Sequence, residues 1–235
     1  MLASLLNFRD LGGMVTTDGR RVRPGVLYRS DGLTHVNVGE RAHLREVLGI
    51  RTIIDLRTSM EHAGMGRYES DLFGIDIIEV PVLDGAVMQA QAARGDFDMG
   101  IMYRHIAFDG VAQIARTLGL LAERGRLPAV VTCSGGKDRT GIVVAITLRA
   151  LGVPTEIVLD DYQRSEAALA GLRERVTDRL RAHGVTVPPH VFELDRGAMA
   201  DMLDRIDDQS VAAYLGRDGT DAIDALRATL LEPND

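Results

Sequence analysis

The chain holds one cysteine, Cys133, and the residues around it have the types and spacing of a nucleophile in a phosphate cradle. Val130-Val131-Thr132-Cys133-Ser134-Gly135-Gly136-Lys137-Asp138-Arg139-Thr140-Gly141 runs from an apolar stretch through a glycine-containing turn into the apolar segment Ile142 to Leu151. Read as strand, loop and helix, this segment points several backbone N–H groups at one spot. The helix dipole adds roughly half a positive charge there. Gly135 and Gly136 let the backbone curl without Cβ clashes. A thiol at the start of the loop and a guanidinium six residues later suit a nucleophile and a planar, two-pronged oxyanion clamp. A free thiol has a pKa of ~8.5, and a loop field of this kind brings thiols into the range of about 3.5–7.5, giving a standing thiolate.

Two other readings compete. A nucleotide-binding glycine loop needs Gly, four residues, then Gly-Lys-Ser/Thr. Val131 stands where its first glycine belongs, and Asp138 follows Lys137. A lone cysteine after an apolar strand is usually a core thiol. Arg139, Thr140 and the two glycines at these spacings argue against that.

The elements that must position this loop are legible as alternating short apolar runs and helical patterns. Strands are expected at Val26-Leu27-Tyr28, Thr52 to Leu56, Ile75 to Val82 and Ala129 to Thr132. Helices are expected from Asn37 to Leu48, ended by Gly49, and from about Met99 to Glu123, ended near Gly125. Strands this apolar, separated by helices, predict an α/β fold with a mostly parallel sheet flanked by helices on both faces. Beyond Pro154 the pattern is helical, with breaks near Gly184, Pro188-Pro189 and Gly216 to Gly219. The expected organisation is one domain, an α/β core over about 1–153 with a helical extension over about 154–235. Val82 to Phe97 reads as a loop at a strand end. If the strands are parallel, Asp55, Arg57, Asp84 and Cys133 gather at their carboxyl ends, where α/β sheets bind ligands.

Composition limits the partners. The chain has 235 residues, 46% hydrophobic and 26% charged, with 27 basic and 34 acidic side chains and a net charge of −7. That is ordinary globular composition, with no basic face to make nucleic acid a main partner. One cysteine allows no intrachain disulfide, and no Cys-rich metal site. No apolar run reaches the ~18 residues of a membrane span. No basic residue precedes the short apolar stretch at the N-terminus, so a cytoplasmic protein without a signal peptide is expected.

The segment Cys133 to Arg139 resembles the C-x5-R phosphate loop of cysteine-dependent protein phosphatases. The fuller string Gly136 to Gly141 is similar to the bacterial and fungal tyrosine/serine phosphatase family. Asn7-Phe8-Arg9-Asp10-Leu11-Gly12-Gly13 resembles the opening signature of that family, as do Leu27-Tyr28-Arg29-Ser30, Leu48-Gly49-Ile50-Arg51 and Asp55-Leu56-Arg57. Asp160-Asp161-Tyr162 and Arg164-Ser165 extend the resemblance, which covers roughly residues 7–165. One departure stands out. Such families usually place His immediately before the nucleophile, to orient and stabilise the thiolate, and here the residue is Thr132.

The resemblance implies a two-step reaction, and the loop spacing, with no His/Cys/Asp metal cluster in the sequence, makes it one expected to need no metal or cofactor. Cys133 attacks phosphorus while Arg139 and the loop, Ser134, Gly135, Gly136 and Lys137, hold the phosphoryl oxygens; water then hydrolyses the phosphocysteine. Thr140 either hydrogen-bonds the departing sulfur or satisfies the helix N-terminus. Two carboxylates compete for the leaving-group acid. Asp84 sits on the loop after a strand, and Asp138 lies in the loop itself, where it could instead orient Arg139. Lys137 resembles a loop lysine of phosphoinositide phosphatases, which would favour a second substrate phosphate; the alternative is a solvated surface lysine. Arg9 and Arg57 approach the pocket in the family, or form salt bridges with Asp10 and Asp55. Met99, Met102 and Tyr103, at helical spacing, read as core. Some of the C-terminal helices could form a lid.

The expected substrates are phosphorylated proteins, phosphotyrosine first, with phosphoserine, phosphothreonine or phosphoinositides as extensions. A catalytically silent phosphate-binding module is opposed by the intact Cys133, Arg139 and Thr140. Arsenate reduction needs further cysteines that the chain lacks.

Overall fold

The computed structural model describes residues 2–82, 98–181, 192–207 and 209–233. Its sheet is built from β1 (Arg9–Asp10), β2 (Leu27–Ser30), β3 (Thr52–Asp55), β4 (Asp76–Glu79) and β5 (Ala129–Thr132), in the order β1-β2-β5-β3-β4. Only the β1–β2 pairing is antiparallel; the others are parallel. The sheet is mixed and mostly parallel, flanked by helices, as the alternating pattern predicts.

Register brings the chemistry to one edge. Ser30 and Asp55 both pair with Thr132, so β2, β5 and β3 finish side by side and Cys133 emerges between its two neighbours. The three central strands β2, β5 and β3 are buried throughout because both faces are covered. Tyr28, Ile53 and Val130 point into one cluster with Leu33, Leu44, Tyr68 and Phe73. Leu27, Ile54, Ala129 and Val131 point into a larger one. That split follows the two-residue period of a strand.

The larger core is filled by helices. α1 (Val38–Ala42), α2 (Ser59–Met65) and α3 (Ser70–Phe73) precede β4; α4 (Met99–Arg104) and α5 (Val111–Ala122) follow. α6 (Asp138–Leu151) starts directly after the cysteine loop and is buried nearly all round. Beyond it lie α7 (Thr155–Gln163), α8 (Leu169–Arg181), α9 (Arg196–Asp207), α10 (Val211–Leu215) and α11 (Gly219–Leu230). Val158, Leu159, Met199, Met202, Leu203, Ile206, Leu226 and Leu230 of these helices join the same core as the sheet and α6.

Several boundaries differ from expectation. The helix expected over Met99 to Glu123 is interrupted by a wide π-type turn at His105–Asp109 that closes on Gly110. A Cβ at Gly110 would lie 2.3 Å from the Ile106 carbonyl, so only glycine fits that closure. The strand expected from Ile75 to Val82 is confined to Asp76–Glu79, and the first parallel strand runs one to two residues later than expected. β1 was not expected, since two residues are too short to show a period. The break at Gly216 is present. Those at Gly184 and Pro188-Pro189, and the loop from 83 to 97, lie outside the described residues.

Candidate active site

The loop between β5 and α6 holds its shape through its carbonyls. Gly136 has φ +64°, and a Cβ there would sit 2.4 Å from the Ser30 carbonyl, so any side chain at this position clashes. Ser134 O accepts from Gly32 N at 3.0 Å. Gly136 O accepts from Arg29 Nη2 at 2.7 Å and Asn7 Nδ2 at 3.0 Å, and Gly135 O from Asn7 Nδ2 at 3.3 Å. Three successive carbonyls are thus engaged by donors outside the loop. The peptide between Gly135 and Gly136 turns its N–H inward, where it donates to Cys133 Sγ at 3.3 Å.

Cys133 itself is buried, with 3% of its surface exposed. Thr132, in the place of the usual histidine, gives its hydroxyl proton to the Asp31 carbonyl at 2.8 Å and not to the sulfur. Thr140 is also buried. Its hydroxyl has no hydrogen-bond partner among the described residues, and no side chain caps α6, so the N-terminal capping role is not taken.

Arg139 is gripped by a residue that sequence reasoning missed. Glu61, on α2, accepts from Arg139 Nη1 at 2.6 Å and from Nη2 at 2.5 Å, a two-pronged charge-assisted pair. Ser134 Oγ donates to the same carboxylate at 2.5 Å. Glu61 is held in turn by the Thr58 N–H at 2.9 Å and hydroxyl at 3.0 Å, and its own N–H donates back to Thr58 Oγ1 at 3.3 Å, which completes a capping box. Burial alone would raise its pKa, but the Arg139 pair and Ser134 outweigh that and bring it down to about 2. Burial likewise works against the Arg139 charge. The carboxylate of Glu61, the sulfur of Cys133 and Asp138 reverse that and hold the guanidinium more firmly protonated than usual.

Asp138 opens α6, and its Oδ1 lies 2.8 Å from Lys137 Nζ and accepts from the Tyr103 hydroxyl at 2.7 Å. The Tyr103 and Tyr162 hydroxyls are 2.5 Å apart, and Asp195 N donates to Tyr162 at 3.2 Å. Lys137 is not a solvated surface lysine. It is 5% exposed and also donates to the Glu193 carbonyl at 2.6 Å. Tyr103 lies in the core as its spacing predicts, yet its hydroxyl serves Asp138; burial, followed by the Asp138 charge, pushes that hydroxyl pKa upward. Asp84 lies outside the described residues.

The two outlying arginines behave differently. Arg9 is not paired with Asp10, which instead accepts the N–H groups of Gly12 and Gly25 at 2.8 and 2.7 Å. Arg9 pairs with Asp161 at 2.7 Å and donates to Asn7 Oδ1 at 2.5 Å. Desolvation and the neighbouring Arg29 lower its pKa to about 10. Asp161 also pairs with Arg29 at 2.6 Å, so one buried carboxylate serves two cations behind the loop. Arg57 takes the structural alternative. It pairs with Asp55 at 2.7 Å, donates to Gly66 O at 3.1 Å and lies over the Tyr68 ring, 3.8 Å from its centroid.

α8 lies against the loop. Leu172 Cδ1 would be 3.9 Å from a Cβ at Gly135, and Arg175 pairs with Asp31 at 3.3 Å. Sequence reasoning assigned no role to Glu61, Asn7, Arg29 or Asp161, although it quoted the last three in signature strings. Among the described residues no cluster of His, Cys, Asp or Glu could hold a metal ion, and no helix is long and apolar enough to cross a membrane.

The core catalytic domain of the PP-IP phosphatase SIW14 from S. cerevisiae aligns with a TM-score of 0.43 at 17% identity, over 68% of this chain and 75% of that one. Among curated proteins, the triple specificity protein phosphatase PtpB of Mycobacterium tuberculosis is 32% identical over 229 residues, covering 83% of this chain and 79% of that protein. The model of the tyrosine phosphatase family matches residues 1–232, well past residue 165, where the sequence signatures stop. That span takes in the cysteine loop, the Glu61 clamp and every brace from Asn7 to Asp195, and the chain accordingly belongs to the tyrosine phosphatase family, as a phosphatase of the protein-tyrosine type.

Proposed function

We propose that this phosphatase hydrolyses phosphate monoesters through a phosphocysteine on Cys133, with phosphotyrosine as first substrate and phosphoserine, phosphothreonine or phosphoinositides as further ones. The observation that carries this reading is the Gly136 N–H directed at Cys133 Sγ, at 3.3 Å, in a loop whose Arg139 is already fixed by Glu61. The triple specificity stated in the name of the mycobacterial relative supports the breadth.

The sulfur attacks phosphorus in line, and the bond to the ester oxygen breaks as the S–P bond forms. Arg139 and the loop N–H groups balance charge on the three non-bridging oxygens. The leaving oxygen takes a proton from Asp84, while Asp138, held at Oδ1 by Lys137 and Tyr103, keeps the start of α6 in place. Water then gives a proton back to the Asp84 carboxylate as its oxygen attacks phosphorus, the S–P bond breaks to the thiolate, and inorganic phosphate leaves. The unpartnered hydroxyl of Thr140 supplies a donor for the departing sulfur. Arg57 serves the frame around Asp55, and Arg9 acts from behind the loop.

Turnover of para-nitrophenyl phosphate, with and without a chelator, tests the reading. The wild type is expected to be active in both conditions, and Cys133→Ser inactive while still binding phosphate. Full activity of Cys133→Ser would overturn it.

A further inference from the structure

A line of donors behind the loop ends on the sulfur. Arg9 Nη1 donates to Asn7 Oδ1 at 2.5 Å, which leaves Nδ2 as the donating end of that amide. Nδ2 lies 3.0 Å from Gly136 O and 3.3 Å from Gly135 O. The Gly135 carbonyl and the Gly136 N–H belong to one peptide unit, and it is this N–H that donates to Cys133 Sγ. A peptide that accepts at oxygen is a stronger donor at nitrogen, by about 10–30% per bond in a chain of hydrogen bonds. Asn7 is itself fixed: it is 3% exposed, and its own N–H donates to Asp31 Oδ1 at 2.9 Å.

The residue that precedes the nucleophile gives the sulfur nothing, because the Thr132 hydroxyl is spent on Asp31 O. We propose that Asn7 is a positioning residue for Cys133, which holds and polarises the Gly135–Gly136 peptide and so favours the thiolate, with Arg9 acting through it. The inference rests on the reading of Cys133 as nucleophile. The charged groups around the sulfur and its loop are Arg139, Asp138 and Lys137 at the start of α6, Glu61 from α2, Arg29 with Asp31 at the end of β2, Arg175 of α8 on Asp31, and Asp161 of α7 between Arg9 and Arg29. Asn7→Leu keeps every one of these charges; it takes from Arg9 its Asn7 Oδ1 partner and leaves the Arg9–Asp161 pair and the Arg29 bond to Gly136 O in place.

The test is the rate at which iodoacetamide alkylates Cys133, the sole thiol of the chain, at about pH 6 and about pH 9. Loosening the Gly136 N–H from the sulfur is expected to lower the ratio of the two rates roughly two- to tenfold in Asn7→Leu, with the rate at high pH kept within about twofold. Arg9→Lys is expected to lower the ratio in the same direction by about two- to threefold. An unchanged ratio, including a loss shared equally by both pH values, would overturn the proposal. If Asn7→Leu does not fold, Arg9→Lys decides in the same terms. Alkylation needs no phosphate ester, so survival of turnover in Cys133→Ser would sink the hydrolytic reading without mimicking either result.

Discussion

The Glu61 carboxylate spans both terminal nitrogens of Arg139, with Oε2 2.6 Å from Nη1 and Oε1 2.5 Å from Nη2. A guanidinium fixed along one edge by a carboxylate that is itself fixed by a helix cap is oriented before any substrate arrives. Pre-set donors of this kind need no reorganisation when charge develops in the transition state. The same carboxylate holds Ser134 Oγ, so one side chain ties the first turn of the loop to its last.

Glu61→Gln is expected to weaken inorganic phosphate or vanadate inhibition and to raise KM. The loss of charge-assisted hydrogen bonds costs about 1.5–3 kcal/mol, or roughly 10- to 150-fold in affinity. Inhibition constants for both proteins check this. Unchanged constants would mean that Arg139 orients itself without Glu61.

The same pair has a pH signature in stability. The folded-state pKa of Glu61, about 2, lies below its ordinary 4.5. Its stabilisation is therefore fully present above that ordinary value and is lost as the pH falls toward the folded one. Urea midpoints of wild type and Glu61→Gln are expected to differ at neutral pH and to converge in acid. A gap that widens on acidification would contradict the sign.

Gly136→Ala is expected to disable the loop. The substitution adds a Cβ 2.4 Å from Ser30 O at a positive φ. The left-handed conformation alone costs about 1–2 kcal/mol, and the backbone clash adds to it. Thermal unfolding and turnover should both fall, and normal turnover would mean that the loop can reshape freely.

Asp84 and Asp138 separate by leaving group. A tyrosine phenol has a pKa of about 10 and needs a proton as it departs, whereas a strongly acidic phenol leaves unaided. Asp84→Asn should slow phosphotyrosine turnover by roughly 10²–10⁴-fold and spare the activated ester much more. Asp138→Asn should slow both alike, since it frees Lys137 and Tyr103 from one carboxylate oxygen. The reverse pattern would make Asp138 the acid.

The parts of the site carried by contiguous residues were legible in the sequence. Cys133 to Arg139 between an apolar strand and an apolar helix could be read directly, because the strand, turn and helix follow one another along the chain. Glu61 could not be tied to Arg139, which lies 78 positions away. The local signature Thr58-x-x-Glu61 marks only a helix start. Arg9 looked like a partner for its neighbour Asp10. Asp10 is consumed by two backbone N–H groups of a turn, and the pairing goes to Asp161, 152 positions on. Tyr103 reads as core from its spacing, and its ring is core. Periodicity says nothing of where a hydroxyl at the tip of the ring points.

The most direct measurement is an acid quench of the enzyme during turnover of excess para-nitrophenyl phosphate, followed by mass analysis of the peptide that contains Cys133. A phosphocysteine route predicts that peptide heavier by one phosphoryl group on the sulfur, absent from Cys133→Ser and more abundant when Thr140 is replaced by Ala, which removes the donor to the departing sulfur. Steady turnover with no phosphoryl group on Cys133, or a phosphorylated residue elsewhere in the loop, would contradict it.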